Sequence, residues 1–493
     1  ADLLPKRYAS ADFTGPVRPH SAAARATPSP FEFDDKIVAT TDPDQSGTDA
    51  YDPARTKELP DDPRFPNHGR RDFFELWRRF QLLAGKNMIV VVERGDGKDV
   101  TKVQITLPPT FYQTLGVRMQ MGHITGIRDG SPAAKAGVLP TRKNDNDSLL
   151  RGDLIQKAEV TEPDGSVTRW DDKNLDPERL PFELRQWADR LRKKDVPQPW
   201  KVALTVRRHE DIGHPQQFEP KTLELTWDDD WRFDRMLPMN PSSPQAIAEL
   251  GLAYQIKTIV ADVVPGFETK DGLHAGDAVR EIRTFMLDAK SEPKPVKLKE
   301  EGEQWAQIAA WMQLTPGIDK IVLKVWRDQK LVDVTVQPAL DRTWPTTDNG
   351  LVFMPDMRRQ KAATTMEAVS LGFSDTWDNM TQVFHNLRGM IMGTISPDNL
   401  GGPVTIARVA YRFAGMDFWE FVFFLGLISV NLAVINFLPI PVLDGGHMVF
   451  LVYEKLRGKP ASEGVRIGAT YAGLALILCL MVFVLYLDIS RLL

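Results

Sequence analysis

A chain of 493 residues is long enough for several domains, and its formal charge of −5, spread without a basic block, excludes nucleic acid as a partner. A single cysteine, Cys479, excludes an intrachain disulfide. Apolar residues collect in roughly the last eighty positions, which reads as a soluble array joined to a membrane-embedded piece. The opening Ala1-Asp2-Leu3-Leu4-Pro5 has neither the basic start nor the apolar core of a signal peptide, and the sequence is expected to continue a longer chain with membrane helices upstream.

Along the soluble part, a helical segment bearing a tryptophan precedes two strands three times. Phe73 to Leu83 stands before Met88 to Arg94 and Val103 to Leu107. Pro181 to Leu191 stands before Val202 to Arg207 and Leu223 to Trp227, and Gln304 to Met312 before Ile321 to Trp326 and Val332 to Val336. Trp77, Trp187 and Trp305 lie 110 and then 118 positions apart, one small domain per period. Ser131 to Val138 with Leu150-Arg151-Gly152-Asp153-Leu154-Ile155 resembles a PDZ domain, in which a short helix leads to a Gly-Asp turn and a strand. Asp271 to Val279 repeats the pattern compactly. Ser21 to Ala26 with Asp34-Asp35-Lys36-Ile37-Val38 is a weaker third copy, with aspartate where the turn glycine is expected.

A PDZ domain adds an extended peptide to a sheet edge, and a loop of backbone amides before that edge strand holds the terminal carboxylate. The resemblance places this peptide-binding loop at Gly116 and Val117 in one copy and at Gly251 and Leu252 in the next, and implies peptide or protein C-termini as partners. Such Gly-apolar pairs also simply open strands, and a fold of this kind serves equally as a spacer. Between the copies, the acidic and proline-rich stretches Thr41 to Pro66, Asp228 to Pro244 and Asp341 to Met357 read as loops. His209-Glu210-Asp211-Ile212-Gly213-His214 spaces its histidines five apart, which turns them about 140° from each other on a helix, and it reads as a solvated loop.

Beyond the last loop, Trp377, Met380, Phe384, Leu387 and Ile391 recur at helical spacing, as in an ordinary core-facing helix, and the place just before a membrane span favours a helix lying at a membrane surface. Phe418 to Phe437 is long enough to cross a bilayer, as is the uncharged run Ala469 to Leu487. Lys455, Arg457, Lys459 and Arg466 lie between them and mark the cytoplasmic side, which puts the PDZ-like array outside the cytoplasm.

Directly after the first span comes Asn436-Phe437-Leu438-Pro439-Ile440-Pro441-Val442-Leu443-Asp444-Gly445-Gly446-His447. Two prolines without N–H groups force this backbone out of the helix, and an ionisable residue at such a break marks a functional site. The stretch resembles the Asn-x-x-Pro-x-Pro-x-Leu-Asp-Gly-Gly signature of the site-2 protease family of intramembrane zinc metalloproteases. Gly401-Gly402-Pro403-Val404-Thr405-Ile406-Ala407 extends the likeness, as do Glu454-Lys455 and Ser462-Glu463.

The resemblance implies zinc as cofactor with Asp444 as a ligand, and a role for Asn436 near the metal or the substrate backbone, although Asn436 would equally serve as a helix-capping or packing amide. His447 is not a ligand position in the family. The family's His-Glu-x-x-His helix, which gives two further ligands and the general base, has no match in this sequence, so the chain alone is expected to be inactive. Where the site is complete, metal-bound water would attack a peptide bond in a substrate's membrane helix.

The fold class expected is multidomain, tandem PDZ-like α+β domains followed by an α-helical transmembrane region. Residues 1–109 form a PDZ-like repeat, complete or not; 110–230 and 245–340 form PDZ domains; 358–400 holds the interfacial helix; 401–493 forms the transmembrane region. The implied protein is a multi-pass protease of the inner membrane that cleaves transmembrane substrates, its PDZ domains gating access. The alternative is a non-catalytic membrane-anchored PDZ scaffold.

Overall fold

Asp72 starts the first of the three tryptophan-bearing helices by accepting the N–H groups of Phe74 and Glu75, an N-cap that satisfies donors the helix cannot. The computed structural model describes residues 3, 15–45, 51–63, 70–95, 99–143, 149–209, 218–234, 237–240, 242–267, 271–288, 293–298, 302–353, 362, 364–391, 400–416 and 418–492. They belong to two compact units, Ala1–Asp356 and Met357–Leu493.

The first unit opens with a module of β1 (Lys36–Thr41), β2 (Thr56–Glu58), α1 (Phe73–Leu82), β3 (Met88–Arg94) and β4 (Thr101–Leu107). Its antiparallel sheet runs β2-β1-β3-β4. Leu76 and Phe80 of α1 bury against Ile37, Val90, Val92, Ile105 and Leu107, so the core lies between the helix and one sheet face.

After β5 (Thr110–Thr114), the middle module comprises β6 (Val117–Ile127), α2 (Pro132–Lys135), the ribbon of β7 (Arg142–Lys143) and β8 (Leu149–Leu150), β9 (Leu154–Thr161), β10 (Val167–Trp170), α3 (Leu180–Lys193), β11 (Lys201–His209) and β12 (Phe218–Thr226). The third has β13 (Gln245–Ile247), β14 (Leu252–Val263), β15 (Ala278–Met286), β16 (Val296–Lys297), α4 (Trp305–Leu314), β17 (Ile318–Arg327) and β18 (Lys330–Val336).

These two modules share one sheet whose path is β12-β11-β9-β6-β14-β15-β17-β18, so the order read outward from its centre is the same in both. The centre is an antiparallel seam from Leu252 opposite Ile127 to Val263 opposite Val117. One core runs beneath it and includes the buried Trp187 and Trp305.

One ion pair recurs in all three modules. The Arg94 guanidinium holds Asp35 by two bonds of 2.8 Å and the Pro30 carbonyl by a third of 2.8 Å. Arg208 does the same with Asp153, at 2.9 and 2.8 Å, and with the Gly137 carbonyl at 2.7 Å. Arg327 repeats it with Asp277, at 2.7 and 2.6 Å, and with the Gly272 carbonyl at 2.7 Å. All three aspartates are buried, and each also accepts a backbone N–H, from Glu32, Leu139 or His274. A bidentate pair with its remaining lone pairs satisfied is the form in which a carboxylate tolerates burial. The aspartate in place of glycine at position 34 adopts φ +66°, a left-handed conformation that short polar side chains tolerate, beside φ +93° for Gly276.

Two stretches expected as loops contain strands. β2 lies inside Thr41 to Pro66, and β19 (Ala339–Thr346) covers the start of Asp341 to Met357 and pairs antiparallel with β5. The register shifts between Asp341 and Pro345, and a two-stranded ribbon has room for a proline that a central strand would not. His209 closes β11, and the rest of the His209 to His214 stretch lies outside the described residues.

The second unit is helical: α5 (Thr365–Ile391), α6 (Pro403–Met416), α7 (Phe418–Phe437), α8 (Asp444–Arg457) and α9 (Glu463–Leu492). α7 and the Glu463–Ser490 stretch of α9 are long and apolar enough to cross a membrane. Among the described residues of this unit, Val434 and Leu487 are the buried apolar side chains, and the other apolar side chains are half-buried or exposed.

Candidate functional site

The chain leaves α7 through residues 438–443 and re-enters a helix at Asp444. Leu438 donates its N–H to the Ile435 carbonyl at 3.1 Å, Ile440 to Leu438 at 2.7 Å and Leu443 to Ile440 at 3.0 Å, so the backbone between the prolines satisfies itself in tight turns. Gly446 and His447 then donate to the Leu443 carbonyl at 3.0 and 3.2 Å and start α8. Val442 takes φ +94°, a conformation that a β-branched residue holds only where its surroundings impose it.

The glycines show what imposes it. Gly445 and Gly446 are buried, and a Cβ on either would overlap a turn carbonyl oxygen, that of Leu438 or of Ile440. A Cβ on Gly473 of α9 would overlap the Pro441 carbonyl from another side. The turn is thus pressed between the start of α8 and the middle of α9 with no room for a methyl group.

Asp444, at the first position of α8, benefits from the positive end of the helix dipole. Its side chain is exposed and makes no hydrogen bond among the described residues. Asn436 lies half-buried one residue before the end of α7, and His447 is exposed one turn into α8. Among the described residues, no group of three His, Cys, Asp or Glu side chains is placed to hold a metal ion. Asp444 offers one anionic donor.

Two residues of this region escape sequence reasoning. Gly473 looks like any small residue in an apolar run. Asp488, just past the uncharged run, is buried and accepts the N–H groups of Gly402 (3.0 Å), Val404 (2.9 Å) and Thr405 (3.2 Å) and the Thr405 hydroxyl (2.7 Å). It caps α6 and fastens the Gly-Pro stretch to α9. The legible signal was an acid at the end of an apolar helix.

The four expected peptide-binding residues sit on the seam of the first unit. Gly116 and Gly251 both adopt φ +69°, directly before β6 and β14. The Gly116 carbonyl accepts the N–H of Val264 at 2.8 Å and the Gly251 carbonyl that of Arg128 at 2.9 Å, each donor lying just past the end of the other module's strand. A Cβ on Gly116 would overlap the Phe267 ring, and one on Gly251 the Ser131 side chain. Val117 pairs with Val263 and Leu252 with Ile127. The edges that would receive a peptide therefore hold each other.

A cavity of about 850 Å³ lies beside this seam, lined by Phe182 of α3, Ala306 and Ala310 of α4, Trp231, Trp344 and Glu178 among others. The Tyr112 hydroxyl donates to Glu178 at 3.0 Å, as does the Trp305 indole N–H. Burial first and the neighbouring Asp176 carboxylate second push Glu178 up to about 8, against these two bonds that pull it down.

Peptidase family M50 matches residues 110–480 of the sequence. Protease RseP of Yersinia pestis is 31% identical over 284 residues, 55% of this chain and 57% of that protein. A regulator of sigma E protease from Haemophilus influenzae is 31% identical over 275 residues, covering 56% and 57%. A protein of Pasteurella multocida named as a zinc metalloprotease is 30% identical over 277 residues, covering 53% and 55%. The chain belongs to peptidase family M50, the site-2 proteases. It spans a little over half the length of these relatives.

Proposed function

We propose that this chain is part of a zinc-dependent intramembrane protease, that α7 and α9 cross the membrane, and that Asp444 contributes one ligand to a zinc ion completed by groups outside this sequence. The support is the constrained turn: Val442 in a left-handed conformation and three glycines without space for a methyl group hold an unbonded carboxylate at a helix start. A zinc ion bound there would supply Lewis acidity and an activated water. This chain's own contribution is to fix where the anionic donor stands and, through Asn436 at the end of α7, to offer an amide beside the turn.

The substrate under this reading is a transmembrane protein, and the paired PDZ-like modules gate its access. Capture of a protein C-terminus at Gly116–Val117 or Gly251–Leu252 requires β6 and β14 to part. The test is Asp444→Asn in the protein expressed in its native membrane. Cleavage of a membrane-helix substrate is expected to disappear while insertion is retained, and unchanged cleavage removes Asp444 from the site.

A further inference from the structure

The three modules share a hydrogen bond that fixes which residues are equivalent. The N–H groups of Leu3, Ile124 and Val260 donate to the carbonyls of Asp35, Asp153 and Asp277, the three aspartates of the recurrent ion pair, at 2.9, 2.8 and 2.9 Å. Leu3 thus occupies in the N-terminal module the place of β6 and β14 in the other two.

The other side of that place is covered in every module. Ile124 pairs with Tyr254 and Val260 with Met119, each a residue of the sibling's strand. Leu3 pairs antiparallel with Phe353, and Val17 with Leu351. Residues 349–353 therefore lie where a sibling strand would lie. They are held further by the N–H of Arg18 to the Gly350 carbonyl at 2.8 Å, that of Ala23 to Asn349 at 2.9 Å and that of Val352 to Pro16 at 2.8 Å.

The helix side of the groove is filled by the same segment. The Phe353 ring meets Phe73 edge-on at 5.4 Å and lies 6.5 Å from the Phe80 ring, both on α1. Leu351 and Phe353 pack on the module's core but stay only partly buried. The seam between β6 and β14 is a long strand pairing with a continuous core beneath it, whereas among the described residues this contact comprises a few backbone bonds and two half-covered side chains.

We propose that the groove between Leu3 and α1 is a peptide-binding site, and that residues 349–353 occupy it as an intramolecular ligand by strand addition. The ligand it takes is an extended peptide with apolar side chains at alternate positions, as in Leu351 and Phe353, the last of them aromatic. It is an internal stretch rather than a terminus, because the chain continues past Phe353 into the second unit, which starts at Met357. A partner segment of the same pattern would displace the chain's own. The proposal stands whether or not Asp444 binds zinc.

The test uses the whole chain and a fluorescent synthetic peptide of residues 347–356. Because the tethered segment competes at high local concentration, the Leu351→Ala, Phe353→Ala double variant should bind the peptide at least about ten-fold more tightly than the unaltered protein. A peptide with aspartate at both positions should not bind. Equal affinity of the double variant and the unaltered protein, or binding of the aspartate peptide, overturns the proposal. A second measurement covers a variant that misfolds. In a Cys479→Ser background, Leu3→Cys with Phe353→Cys should cross-link on oxidation, refuse the peptide while oxidised and accept it on reduction. Undiminished binding by the oxidised protein, or failure of the pair to cross-link, also overturns it.

Discussion

The Gly-Asp turns of the first unit and the Asp-Gly-Gly turn of the helical unit both set an aspartate against glycine, and the two surroundings are opposite. Asp153 and Asp277 are buried, and their lone pairs go to an arginine and a backbone N–H within the chain. Asp444 is exposed and its side chain bonds nothing among the described residues, although the backbone around it is the more constrained. A carboxylate that stabilises a fold has its bonding capacity used up internally. Under the proposed reading, Asp444 is positioned by its backbone and left open for a partner.

The comparison is tested most severely at the ion pairs. Arg208→Ala strands the buried Asp153 carboxylate and should cost the first unit about 3–5 kcal/mol, measured by denaturant unfolding. A loss below about 1 kcal/mol would show that water reaches Asp153. Asp488 is the helical unit's own structural aspartate. Asp488→Ala leaves the α6 start unbonded and should lower stability in detergent, while Asp444→Asn should leave that stability unchanged. At the turn, Gly445→Ala should cost about 1–3 kcal/mol by forcing the Leu438 carbonyl aside, and activity should fall further than stability.

A pH-dependent effect concerns Glu178. Its raised folded-state value means that the fold favours the protonated carboxyl, so this contribution is full below the ordinary glutamate range and is lost as pH rises through about 8. The melting temperature of the first unit should therefore be lower at pH 8.5 than at pH 5.5 from this group, and Glu178→Gln should flatten that difference. An unaltered pH profile in the variant would place the titration elsewhere.

Much of this was legible in the sequence because it is written in local patterns. The tryptophan-bearing segments and their strands appear close to where periodicity put them, and α7 runs from Phe418 to Phe437 as its apolar length required. The prolines announced the break before Asp444, though not that a new helix begins at the aspartate itself. What stayed hidden depends on partners far apart in the chain. Asp488 meets Gly402 across 86 positions, and Gly473 matters only because Pro441 is pressed against it. The β6–β14 seam could not be read from either strand alone, since each presents the alternation of an ordinary sheet edge. Residues 349–353 carry turn-forming residues followed by apolar ones and read as a loop, because the groove that straightens them is formed by residues more than 250 positions earlier.

The central claim is that Asp444 is a metal ligand, and the zinc content of protein purified from its native membrane tests it most directly. Unaltered protein should carry zinc, and Asp444→Asn should lose most of it with the unfolding transition of the first unit unchanged. Equal zinc in the two proteins would contradict the account.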